Sequence, residues 1–145
     1  MKKIRLLSLL LASLLLACAL VGCGGKESKG TVQLVFKTET AQLINVSVEI
    51  DKEDPTVNEV VQAAIAQYET FGETIFFDEE NIDVKTVKDI DAEYTAHYDE
   101  ETKTIYGWEF YINAEKDPRS GRADDVKVAA GDTITYSFYA QAYNG

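Results

Sequence analysis

The chain has few of the groups that carry covalent chemistry. Of its 145 residues two are cysteines and one is a histidine. Both cysteines, Cys18 and Cys23, fall in the first 23 positions, so the rest of the chain has no thiol and can form no disulfide. A zinc site needs three or four nitrogen or sulfur ligands, and His97 alone supplies one. Nucleophilic catalysis through a histidine base would also have to use His97. No serine stands in a Gly-x-Ser-x-Gly elbow, and His97 alternates with Tyr94, Ala96 and Tyr98, on the polar side of a strand-like run. Carboxylates are plentiful, but no pattern forces two of them together for acid–base work. The chain therefore reads as a non-enzymatic binding module.

Positive charge is also scarce: 14 basic residues face 25 acidic ones, a net charge of −11. Three of the basic residues, Lys2, Lys3 and Arg5, open the chain ahead of an almost unbroken apolar run, Leu6 to Val21. Without them the balance is 11 basic against 25 acidic, a net −14. Such a surface repels nucleic acid and anionic lipid, and attracts cations.

A charged start followed by an apolar run is a secretory signal, and Leu20-Val21-Gly22-Cys23 closes it as a lipobox. As a helix the apolar run would span roughly 24 Å, short of the ~30 Å hydrocarbon core. Residues 1–22 are therefore expected to be removed as a lipoprotein signal peptide. Cys23 is the expected lipidation site, with Cys18 an alternative cleavage point. Residues 23–30, rich in glycine and polar groups, read as a flexible tether. Residues 31–145 read as one domain, anchored on the extracytoplasmic face of a bacterial membrane.

Within that domain Thr31 to Thr38 alternates, with Val32, Leu34 and Phe36 on one face; Ile44, Val46, Val48 and Ile50 repeat the pattern, predicting a β-hairpin. Asp54-Pro55 stops the second strand. Thr56 with Glu59 forms a capping box, and Val57, Val60, Val61, Ala64, Ile65 and Tyr68 make one helical apolar stripe ending toward Gly72. Ile75-Phe76-Phe77 and Val84 to Ile90 are short strand candidates. Tyr94 to Tyr98 and Thr104 to Ile112 predict a second hairpin, and Ile134, Tyr136 and Phe138 mark the inward face of a last strand. Glu115 to Asp125 is the longest irregular stretch. The order β-β-α followed by strands predicts an α+β fold of β-grasp type, with an antiparallel or mixed sheet packed on a single amphipathic helix.

Three segments carry a family resemblance: Pro55-Thr56-Val57-Asn58-Glu59-Val60-Val61, Gly107-Trp108-Glu109-Phe110-Tyr111-Ile112-Asn113, and Val126 to Tyr136 with its Gly131-Asp132-Thr133-Ile134. In this order they resemble the transcobalamin C-terminal-like β-grasp domains of unknown function, common in bacterial surface proteins and lipoproteins. The resemblance spans roughly Val32 to Phe138. Ala114 and Tyr136 depart from it, standing where relatives often have glycine and tryptophan. In the cobalamin carriers that name the family, the domain closes over a corrinoid held on a separate helical domain. The resemblance thus implies a small-ligand module, with a corrinoid-like ligand among the candidates.

Two sets of residues are candidates for contact. Tyr111, Glu109 and Asn113 lie on the strand face opposite Trp108, where amphipathic rings suit a ligand or a protein partner, with Arg119 and Arg122 on a rim. Trp108 and Tyr136 join them through the family pattern. The alternative is a calcium-type cation held by acidic loops, with Asp78, Glu79, Asp83, Asp124 and Asp125 as oxygen ligands. None of these has EF-hand spacing.

Overall fold

The computed structural model describes residues 27–144. The leader and Cys23 lie outside the described residues. Strand β1 (Gly30–Lys37) and strand β2 (Gln42–Ile50) form the expected hairpin. Its alternation puts Val32, Leu34 and Phe36, and across from them Ile44, Val48 and Ile50, on one buried face. Helix α1 (Val57–Gln67) covers that face with Val57, Val60, Val61 and Ala64. The Thr56 side chain accepts from the Glu59 N–H and the Glu59 carboxylate accepts from the Thr56 N–H, so both halves of the capping box are made. Lys52 pairs with the Glu59 carboxylate at 2.5 Å and holds it below its usual range.

The helix stops at Gln67, short of Gly72, because tertiary bonds intercept it. The Gln67 amide clamps the Glu49 backbone through both its N–H and its carbonyl, and the Tyr68 hydroxyl donates to Ser47 O at 2.8 Å. Gly72 falls within a 3-10 turn, Glu69–Glu73.

The remaining elements are β3 (Ile75–Phe77), β4 (Val84–Lys88), β5 (Glu93–Thr95), β6 (His97–Asp99), β7 (Thr104–Ile112) and β8 (Thr133–Ala142). They complete a five-stranded mixed sheet, β2-β1-β8-β7-β6, and a three-stranded sheet, β3-β4-β5. β1 and β8 run parallel; the other neighbours are antiparallel. The fold is α+β, dominated by strands, and one hydrophobic cluster joins both sheets to the helix.

The run Tyr94 to Tyr98 is not one hairpin arm. It changes partner at Ala96: Glu93–Thr95 pairs with β4, and His97–Asp99 pairs with β7. The Ala96 N–H still bonds Lys85 O, while His97 opposes Tyr106. Beyond Tyr106, β6 gives β7 no partner on that side, and a cleft opens along β7.

The irregular segment after β7 is stitched down. Val57 and Asn58 donate their N–H groups to Val126 O and Ala123 O, and Val128 donates to Pro55 O. Ala123 is fully buried. The segment thereby packs on the N-terminal end of α1 and walls the cleft.

Candidate ligand cleft

The cleft has a volume of about 750 Å³ and lies between the acidic turn 78–83, the start of β4, the Tyr106–Phe110 stretch of β7 and the loop carrying Pro118, Arg119 and Gly121. Tyr136 on β8 also lines it. This size falls within the range of small-molecule sites, roughly 300–1,000 Å³.

Tyr136 lies on the inner sheet face and is only 3% exposed. Its ring stacks on Phe36 with centroids 4.7 Å apart and packs against Phe110 at 5.5 Å. The ring is thus fixed, yet its hydroxyl has no hydrogen-bond partner among the described residues. A buried hydroxyl normally has one. Burial, reinforced by the charge of Asp83, raises its ionisation far above that of a free phenol, so the group is a neutral O–H. Trp108 stands beside it, half-buried, with its indole N–H donated to Tyr94 O at 3.1 Å and its rings against Phe138 at 5.0 Å.

On the other face of β7, Tyr139 lies across Gly107. A Cβ at Gly107 would sit 2.8 Å from the Tyr139 hydroxyl and 3.0 Å from its ring carbons. Glycine in the middle of a strand signals such a close approach, and it was legible in the sequence. Tyr139 lines the cleft and was not among the expected site residues.

The expected residues divide. Trp108, Glu109, Tyr136, Asp78, Glu79 and Asp83 share this cleft, although the sequence placed them in two separate sets. Tyr111 and Asn113 do not line it. The Tyr111 hydroxyl donates to Glu109 at 2.7 Å, and this bond, together with partial burial, pushes the phenol up to about 12. Asn113 joins β7 to the start of β8: its amide donates to Asp132 and its carbonyl oxygen accepts from the Thr133 N–H.

Several of the acidic side chains are engaged. Asp78 accepts from the Ile82 N–H at 3.0 Å, and Asp83 accepts from the Ala123 N–H at 3.1 Å. Arg122 bridges Glu80 at 2.5 Å and Asp124 at 3.5 Å, while the Asp125 N–H bonds Arg122 O. Asp124 and Asp125 do not line the cleft. Among the described residues no group of three or more histidine, cysteine or acidic side chains converges in a way that could hold a metal ion.

No protein-family model matches the chain, and no curated protein matches it significantly. Among the described residues no helix is long and apolar enough to cross a membrane.

Proposed function

We propose that the chain is a membrane-anchored, extracytoplasmic lipoprotein whose domain binds a small ligand in the cleft beside β7 without covalent chemistry. The observation that carries the binding reading is the Tyr136 hydroxyl, rigidly held by its ring yet lacking a partner among the described residues. Such a group costs folding about 1–3 kcal/mol, and a ligand that supplies its hydrogen bond recovers part of that cost. His97 supports the non-catalytic reading. It is exposed, lies against Tyr106 with ring centroids 4.7 Å apart, directs Nδ1 at Thr95 O, and does not line the cleft.

The finer fold belongs to the same proposal. A first hairpin followed by the helix, with β1 parallel to β8 at the centre of the sheet, supports a β-grasp arrangement. The resemblance to the transcobalamin C-terminal-like domains supports it too. Corrinoid-like molecules are one candidate class of ligand.

Tyr136→Phe tests the cleft. Removing a partnerless hydroxyl while keeping the ring should leave the protein as stable as before or more so, by about 1 kcal/mol. It should also weaken any ligand found to perturb Trp108. A melting temperature lowered by several degrees would mean that the hydroxyl is satisfied within the fold, and the reading would fail.

The anchor is tested separately through Cys23. Cys23→Ala should leave the chain unprocessed or move it from the membrane fraction to the soluble one, because stable anchoring rests on acyl chains attached there. Normal processing and retention of the variant would sink the lipoprotein assignment.

A further inference from the structure

The charge around the cleft is one-sided. Among the acidic groups lining it, Glu80 is neutralised by Arg122 and Glu109 is engaged by the Tyr111 hydroxyl. Asp78, Glu79 and Asp83 have no ion-pair partner among the described residues. On the basic side Arg119 is paired with Glu115 through two hydrogen bonds, which leaves Lys85. Glu109 keeps its charge too, because the neutral Tyr111 phenol cancels none, so four unbalanced carboxylates face one ammonium.

Two of these carboxylates are positioned for use. Asp78 and Asp83 each accept a backbone N–H through one oxygen, which fixes the group, while the second oxygen has no partner among the described residues. An acidic turn alone would be ordinary solvated surface. Here a second feature belongs to the same cleft: Tyr136 lines it, and the buried Tyr136 hydroxyl has no hydrogen-bond partner among the described residues and feels the Asp83 charge. The apolar wall of Trp108 and Phe110 completes the set. A bare metal ion would have no use for that wall, since calcium seeks six to eight oxygens. An anionic ligand would face the unbalanced carboxylates at close range.

Resting on the reading of this cleft as a ligand site, we propose that its ligand is an organic cation, an ammonium or amidinium group on a flat apolar body. The cationic head meets Asp83 and the Tyr136 hydroxyl, and the body lies against Trp108, whose ring also favours a cation over its face.

The chain contains a single tryptophan, so its indole N–H gives one unambiguous resonance beside the cleft. Full-length protein, nitrogen-labelled and purified in a non-ionic detergent, is titrated with 2-phenylethylamine, 2-phenylethanol and 3-phenylpropionate at neutral pH and low salt. The amine should shift the Trp108 signal saturably. The alcohol should bind at least about tenfold more weakly, as expected on losing a charge-assisted hydrogen bond, and the carboxylate should produce no shift. Asp83→Asn keeps an oxygen to accept the Ala123 N–H but removes the charge, and should bring the amine down to the level of the alcohol. If the alcohol or the carboxylate binds as well as the amine, and Asp83→Asn changes nothing, the cation assignment falls while the cleft stands as a site. If none of the three probes moves the signal, the cleft reading itself is overturned, and this assignment with it.

Discussion

Phe36→Ala should lower stability by about 3–5 kcal/mol, the range for emptying a buried aromatic position. In a thermal melt of a domain this size, that corresponds to roughly 10–25 °C. Phe36 is fully buried on β1, a central strand bonded to β2 on one side and β8 on the other. Its ring is the surface on which Tyr136 stacks, and it meets Trp108 edge-on at 5.7 Å. The substitution thus removes core volume and the support of both cleft aromatics at once. Little collapse can refill the space, because the neighbouring strands are fixed by their ladders on either side. Phe76→Ala is the control. That ring is 38% exposed beneath the Lys88 ammonium, and its loss should change stability by about 0.5 kcal/mol or less. A Phe36→Ala melt within a few degrees of the parent would show that the stack does not hold the sheet.

That position shows what the sequence reveals most readily. Val32, Leu34 and Phe36 alternate cleanly because β1 has one wet face and one dry face, and period-2 patterning is the direct trace of that condition. The capping box at Thr56 is equally plain, since its chemistry is local. What was obscured depended on distant partners. Tyr94 to Tyr98 has continuous strand character, and nothing in its side chains marks the exchange from β4 to β7 at Ala96. The helix end was misplaced for the same reason. Gly72 is a credible local stop, but the bonds from Gln67 and Tyr68 to β2 act first.

The candidate site follows the same division. Trp108, Glu109 and Tyr136 were singled out from one strand pair, and Asp78, Glu79 and Asp83 from an acidic turn. That they line a single cleft depends on how the two sheets meet, which no local pattern encodes. Asn113 stands apart from the cleft, and a polar residue at a strand end looks the same in sequence whether it contacts a ligand or closes a turn. The backbone decides: Asn113 sits at φ 56°, a left-handed conformation that asparagine tolerates better than most residues.

Asn113→Ala should therefore destabilise the fold by about 2 kcal/mol, from two lost side-chain hydrogen bonds at an exposed position and a left-handed backbone that alanine disfavours. Asn113→Gly keeps the backbone relaxed and should recover part of that loss, which separates the two causes in chemical denaturation. The junction also carries a pH signature. The Asn113 amide, and secondarily the Ala129 N–H, hold the Asp132 carboxyl below its ordinary value of 3.8. A carboxylate with a depressed folded-state value contributes stability that is fully present above its unfolded value and lost as pH falls through the folded one. The parent should thus lose stability below about pH 4, with Asp132 contributing to the slope. Asn113→Ala removes the larger of the two causes, so its loss in that window should be shallower. The two stability curves should converge as the pH falls and run parallel from pH 5 to 7. Parallel curves throughout would mean that Asp132 gains nothing from Asn113, and that the turn is held by its backbone alone.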